Sequence, residues 1–521
     1  MANMRHVHPK IDFLTLHSES NTPESTVHVY LFPGQGISSG QLSECKKQME
    51  VLAPSRVKIY SEQEDFSLVT ENVKRIGIIL ESNVSFESVF FEKLLSVFEN
   101  TDTFFMYSDF LQISNDIQSQ VKLPAWSPIR FETVDYLGPV VAFDLGCFSI
   151  SSSGAVVSRV NVLDFAQTND LRISRLPSAL FKCKSDFKRM QPKSENLRAP
   201  ESVSIVVPTQ GIASASDSLL EKCVAGLIGQ VGVSGIELIV VIDEGFDEGV
   251  VSRVKGKLPS NFSLILIEFY EPFNFSRKCN FGASNATGEV IVFLNDDVEL
   301  VSTDSIAKLS SWSLQEGVGA VGSQLQFADG SIQHAGITLQ DVKPRNSYLD
   351  QFPRVTDIGD LEVPHEVSGV TGACLAISSD RFEISGGWNE NLPNSYNDVD
   401  LCLRLNKMGF QSVVLNQLNI IHNESSSRDA EFDLRAFGTL KQLWPDELRG
   451  ERYLRSAEAN GKYSGPWGSQ RDERLDFSGD SFAYALHLIS AHGLQKLFSA
   501  VRCRLTGKTH RLLSITPREY L

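Results

Sequence analysis

The stretch that most narrows the fold is Gly288–Val301, GEVIVFLNDDVELV. Val290, Ile291, Val292, Phe293 and Leu294 form an apolar run without alternation. That is the signature of a strand buried on both faces, as in a parallel sheet covered by helices. The run stops at Asn295, Asp296 and Asp297. In open α/β sheets, ligands bind at the carboxyl ends of the strands, and closely spaced oxygen side chains suit a hard divalent cation shared with phosphates. Asn and Asp are also favoured turn residues, so this segment alone leaves a plain turn equally open.

The chain of 521 residues has room for about three domains on the usual relation of length to domain number. Its net charge of −16 argues against a general nucleic-acid binder, which carries a basic stripe. Eight cysteines are scattered with no CxxC pair and no metal-type spacing, which fits a reduced, cytoplasmic compartment. The N-terminal residues lack the apolar core of a secretion signal, and no apolar run is long enough to span a bilayer.

Residues 1–25 are polar and expected to be disordered. From Val27 the chain alternates strand and helix: Val27–Phe32, Gln41–Leu52, Val57–Tyr60, Ile76–Leu80, Glu87–Glu99 and Thr103–Tyr107. The order of apolar strand, polar triplet, helix and strand around Glu81, Ser82 and Asn83 is like that around Asn295–Asp297, but with a single acid. A further strand is expected at Val140–Phe143, and residues 150–182 read as loop, then helix. Asp109 stands alone at a strand end, where a turn or cap role is the simpler reading. The polar, Pro-bounded segment 183–200 reads as a linker.

Beyond it, Val203–Pro208, Leu219–Gln230 and Glu237–Ile242 read as strand, helix and strand, hence a parallel right-handed crossover. Pro208, Thr209 and Asp243 then sit at strand ends, placed to contact a nucleotide. Arg277 and Lys278 follow the next strand, where a cation can meet a diphosphate; exposed cations are also common as plain solvated residues.

The ordered motifs VSIVVPT, VVIDEG, FNFSRKCNFGASNATGEVIVFLNDDVEL, QFADGSIQHAG, VSGVTGACLAIS, GGWNE, YNDVDLCLRLNKMGF and HNESSSR resemble a family 2 glycosyltransferase of the kind that builds bacterial surface polysaccharides, often rhamnosyltransferase-like. The resemblance covers about 203–428. Farther upstream, MYSD, PAWSP and DYLGPVVAF resemble an N-terminal degenerate module of some two-domain members. The expected architecture is therefore α/β: a degenerate GT-A-like domain at 26–182, a Rossmann-like GT-A catalytic domain with a mostly parallel sheet at 201–440, and a helical extension at 441–521. The N-terminal module is expected to be non-catalytic, because Glu81 and Asn83 offer too few oxygens for a metal.

The resemblance implies an inverting transfer of a sugar from a nucleotide-diphosphate sugar to a hydroxyl of a glycan or lipid-linked glycan, with Mn²⁺ or Mg²⁺. It makes Asn295, Asp296 and Asp297 the DxD-type motif, with Asp297 a metal ligand, Asp398 the general base and His422 a second metal or diphosphate contact. Trp388 and Asn397 fall on the acceptor side. Read from the residues alone, Asn397, Asp398 and Asp400 are also helix-capping residues, and Asp400 can pair with Arg404 four residues on. The basic, amphipathic pattern from Phe482 suits an anionic membrane surface, a capping helix or a subunit contact. A nucleotidyltransferase is disfavoured, because no Arg or Lys lies between Thr209 and Lys222. The alternative from a different class is a non-catalytic scaffold that binds nucleotide or glycan.

Overall fold

A computed structural model describes residues 26–183, 197–209, 219–340, 343–346, 363–423 and 433–449, less 35–36, 62–72, 115–116, 122, 124–125, 134, 152–156 and 177. The expected disordered N-terminus, most of the linker and the basic C-terminal helix lie outside the described residues. The chain divides into two compact units, which meet in sequence between Lys193 and Ser194.

The first unit runs β1 (Val27–Pro33), α1 (Ser39–Leu52), β2 (Val57–Ser61), β3 (Lys74–Leu80), β4 (Val84–Phe86), α2 (Phe90–Asn100), β5 (Phe105–Ser108) and β6 (Phe110–Ser114). It continues through β7 (Ile117–Val121), α3 (Pro128–Thr133), β8 (Val140–Asp144), α4 (Leu145–Ser151), α5 (Arg159–Thr168), β9 (Ile173–Leu176) and β10 (Phe181–Cys183). One sheet has the order β2-β1-β3-β8-β5-β9 and a smaller one β4-β10-β6-β7. Helix α1 begins on a capping box, Ser38 with Gln41, and buries Leu42, Cys45 and Met49 at helical spacing. In α2 the residues Phe90, Phe91, Leu94, Leu95, Val97 and Phe98 are all buried, each contributing about 1.5–3 kcal/mol. The two strands β9 and β10 were not expected from 150–182; at four and three residues they are too short to establish a period.

The second unit runs β11 (Val203–Pro208), α6 (Leu219–Ile228), β12 (Ile236–Asp243), α7 (Glu248–Lys257), β13 (Phe262–Phe269), α8 (Phe275–Ala283), β14 (Val290–Leu294), β15 (Val298–Leu300) and α9 (Ser305–Ser313). Then follow β16 (Val318–Ser323), β17 (Leu325–Gln326), β18 (Ile332–His334), β19 (Ile337–Gln340), β20 (Lys343–Asn346), β21 (His365–Val367), β22 (Cys374–Ser378) and α10 (Ser379–Ile384). It closes with α11 (Asn397–Lys407), β23 (Gln411–Leu415), β24 (Ile420–His422) and α12 (Leu434–Leu443). Its main sheet has the order β13-β12-β11-β14-β22-β16-β23-β21, parallel across its first four strands. This is the α/β class expected, with antiparallel insertions at β22 and β21. Each of the five residues of β14 is buried, as its uninterrupted apolar run requires. The packed unit runs past the expected edge at 440: Trp444 and Leu448 sit in a core with Leu339, Val399 and Leu403. Among the described residues no helix is long and apolar enough to cross a membrane.

Candidate active site

The parallel strands β11, β12 and β14 bring Thr209, Asp243 and Asn295–Asp297 to one edge. Thr209 donates its hydroxyl to Asp296 Oδ2 at 2.5 Å. Lys278, on α8, donates to the Thr209 carbonyl and to Asp243 Oδ1, both at 2.6 Å. One ammonium thus ties two strand ends together. Lys278, expected to meet a diphosphate, is 1% exposed, with two of its three N–H groups on the chain's own oxygens. Burial pushes its pKa down and the Asp243 carboxylate pulls it back up. Neighbouring Arg277 stays on the surface, paired with Glu271 and, at 2.9 Å, with Glu390 Oε2.

Asp297 and His422 come together across the antiparallel pair β15–β24, where Val298 faces His422. His422 Nε2 lies 3.0 Å from Asp297 Oδ1. The other ring nitrogen, Nδ1, is 2.6 Å from Gln333 Oε1. The Gln333 amide thus fixes the ring so that Nε2 faces the Asp297 carboxylate. The buried Nε2 makes no hydrogen bond of good geometry, and neither does the buried Asn295 Oδ1. An imidazole nitrogen facing a carboxylate, with a further buried side-chain oxygen two residues before that carboxylate in sequence, suits a divalent cation. An imidazole held by its second nitrogen is also how metal-binding histidines are oriented. Among the described residues no three His, Cys, Asp or Glu side chains cluster as a complete protein cage. An ion held here would draw its remaining oxygens from water and ligand, as magnesium-type sites do.

Asp398 opens α11 behind Tyr396, which holds a left-handed conformation at φ 63° that only a small fraction of non-glycine residues adopt. Its carboxylate accepts from Gly372 N at 3.1 Å and Val399 N at 2.8 Å. Burial raises its pKa, while those two N–H groups, its own N–H and the Thr371 hydroxyl oppose the rise. The next residue, Ala373, accepts from Asn295 N at 2.9 Å. Adjacent residues of one loop thus hold both Asp398 and the Asn295–Asp297 turn.

The two residues expected on the acceptor side are both buried. Trp388 is 1% exposed and packs edge-on against Phe275 and Phe293, so it offers no ring face to a sugar. Its backbone is instead read by Asn280, which donates to the Trp388 carbonyl and accepts from its N–H. Asn397 is buried too, with Nδ2 on Ser276 Oγ at 3.0 Å. Both side chains were drawn inward because α8, α11 and the GGW turn pack as one layer over the sheet.

Several positioning residues were not foreseen. His334, in the IQHAG motif, accepts from Gly336 N at 3.2 Å and Thr371 N at 3.3 Å through Nε2, which steadies the loop that holds Asp398. Gln333 orients His422. Asp400 pairs with Arg404 at 2.8 Å as expected and also accepts from Trp444 Nε1 at 2.8 Å. Arg404 in turn donates to the Gly387 carbonyl at 2.6 Å, anchoring the GGW turn. The QH and TG dipeptides lay within the quoted motifs, but only the fold brings them to one loop.

The model of glycosyl transferase family 2 matches residues 204–383. This stretch belongs to that family. The family 2 domain is accompanied by two relatives of note. One is the uncharacterized protein y4gI of Sinorhizobium fredii, 32% identical over 233 residues, or 44% of this chain and 25% of that protein. The other is the O-antigen biosynthesis protein RfbC of Myxococcus xanthus, 31% identical over 238 residues, or 45% of this chain and 18% of that protein. The chain thus matches a quarter or less of the length of these relatives. Similar solved structures include the mannosyltransferase PcManGT of Pyrobaculum calidifontis in complex with GDP-Man and Mn²⁺, at 17% identity, 63% of this chain, 86% of that chain and a TM-score of 0.37. Another is GalNAc-T7 with UDP, GalNAc and Mn²⁺, at 14% identity, 67% and 66% coverage and a TM-score of 0.39.

Proposed function

We propose that the second unit moves a sugar, with inversion, from a nucleotide-diphosphate sugar to a hydroxyl of a glycan or lipid-linked glycan in surface-polysaccharide synthesis. The observation that carries this reading is the 371–373 loop, which holds Asp398 by the Gly372 N–H and the Asn295–Asp297 turn by the Ala373 carbonyl. A base and an ion-binding turn held by adjacent residues suit a displacement with both partners bound at once.

Asp398 takes the proton of the acceptor hydroxyl as its oxygen bonds to the anomeric carbon, and the bond from that carbon to the diphosphate breaks. Its raised pKa strengthens it as a proton acceptor. Asp297 and His422 would hold Mn²⁺ or Mg²⁺, which would supply positive charge for the departing diphosphate. Pro208, Thr209, Asp243, Asn295 and Asp296 form the donor edge. Arg277 reaches a diphosphate only by leaving Glu271 and Glu390. We place the reaction in the cytoplasm, in keeping with cysteines scattered along the chain with no CxxC pair.

The test is release of nucleoside diphosphate from a panel of UDP-, dTDP- and GDP-sugars with Mn²⁺, Mg²⁺ or EDTA, for the parent and Asp398→Asn. Metal-dependent release from one donor, lost in the variant, is the expected result. No release together with no nucleotide binding would move the assignment to a scaffold.

A further inference from the structure

The ten strands of the first unit map, in chain order, onto ten strands of the second. Strands β1 to β10 correspond in turn to β11, β12, β14, β15, β16, β17, β18, β22, β23 and β24. The order β2-β1-β3-β8-β5-β9 becomes β12-β11-β14-β22-β16-β23, and β4-β10-β6-β7 becomes β15-β24-β17-β18. Every neighbouring pair also keeps its direction, parallel or antiparallel. Shared α/β architecture fixes none of the antiparallel reversals, so agreement at all of them points to one design used twice.

The residue register follows from the hydrogen bonds. Glu81 N donates to the Pro139 carbonyl, as Asn295 N does to that of Ala373. Asp109 N donates to the Leu176 carbonyl, as Gln324 N does to that of Leu415. Ser108 Oγ bonds the Asp109 carbonyl as Ser323 Oγ bonds that of Gln324, each at 3.1 Å. Cys183 faces Val84 where His422 faces Val298. Leu171 N donates to the Ala166 carbonyl as Phe410 N does to that of Leu405, and the residue before each, Asp170 and Gly409, has a positive φ. Counting back along the two helices from that point places Arg159 where Asp398 stands.

We infer that residues 27–183 are a second copy of the transferase unit, retired from the chemistry, in which Asn83 and Cys183 replace Asp297 and His422 and Arg159 replaces Asp398. This rests on the reading of those three residues as the reaction centre. Each replacement removes one property that centre needs. An amide and a thiol stand where a carboxylate and an imidazole faced each other, and Cys183 Sγ lies 3.6 Å from Ser82 Oγ. A guanidinium takes no proton from a hydroxyl, and Arg159 fills its position with an ion pair to Asp135 at 2.6 Å and a hydrogen bond to the Gly138 carbonyl at 2.7 Å. Gly138 is the counterpart of Gly372, the residue that holds Asp398. Strand β13 and helix α8, which carries Lys278, have no counterpart among the described residues of the first unit. The chain accordingly has one reaction centre and one silent copy of it.

The experiment counts Mn²⁺ bound per full-length chain in the presence of a nucleoside diphosphate, by electron paramagnetic resonance of the free ion. The parent and Asn83→Ala/Cys183→Ser are expected to bind one ion, and Asp297→Asn/His422→Ala none. Two ions in the parent, or one that survives the second-unit variant and vanishes in the first-unit variant, overturns the inference. If the parent binds none, the metal reading of Asp297 and His422 fails, and turnover decides the silent copy separately. Donor turnover that persists in Asp398→Asn and then falls on adding Asn83→Ala overturns it; turnover that Asn83→Ala leaves unmoved upholds it.

Discussion

Asp398 and Arg159 stand at equivalent places on equivalent helices, and they meet burial in opposite ways. Asp398 is a lone carboxylate held by N–H groups, its pKa raised because burial disfavours its charge. Arg159 is matched by Asp135, with both side chains about 10% exposed or less. A site kept for proton transfer retains an unneutralised charge at a cost in stability. A site released from that task is free to cancel it. The lesson is that the strand frame and its hydrogen bonds persist on their own energetics, while reactivity resides in a few residues at strand and helix ends that the frame does not dictate.

The sharpest way to break that contrast is to exchange its consequences. Asp398→Asn is expected to lower donor turnover by about 10²- to 10⁴-fold, the usual contribution of a positioned base, with thermal stability near pH 7 raised, since the buried charge is removed. Arg159→Met should do the reverse. Leaving Asp135 buried without its cation costs about 3 kcal/mol or more of first-unit stability, read from urea unfolding, while turnover per folded chain stays at the parent level. Loss of turnover in Arg159→Met at full folding would mean that the two sites are not independent.

A smaller effect is expected from Gln333→Leu, which removes the partner of His422 Nδ1. Metal affinity should fall by about 10- to 100-fold, measured as the Mn²⁺ concentration for half-maximal turnover. The mildest test is the pH profile at saturating metal. The pKa of Asp398 is raised, so the base stays protonated to a higher pH than a free aspartate near 3.9. Turnover should therefore fall as pH drops through a point above that value, and the corresponding limb should be absent from whatever activity Asp398→Asn retains.

Much of the frame was legible from the sequence, because apolar runs such as Val203–Val207 and Val290–Leu294 carry their own burial pattern. The polar triplet after each run was legible too, and with it the likeness of Glu81–Asn83 to Asn295–Asp297. The short strands β9 and β10 were not, and without them Cys183 has no visible relation to His422. Nor can a sequence say which way a side chain on a packed helix turns. Lys278, Trp388 and Asn397 each belong to residue types that bind ligands, and each is turned inward by the packing of α8 and α11. His334 and Gln333 stood in a motif, but their work depends on loops that only the folded chain brings to them.

The bridge that Lys278 makes between Thr209 and Asp243 also bears on how a ligand meets this edge. The ends of β11 and β12 are locked in position as the chain folds, so the conformational entropy of aligning them is lost then and not again on association. On the proposed reading, a nucleotide arriving here meets two strand ends already fixed to one another. Its binding enthalpy and heat-capacity change should then report contact and desolvation alone, without the large compensating terms of a disorder-to-order transition.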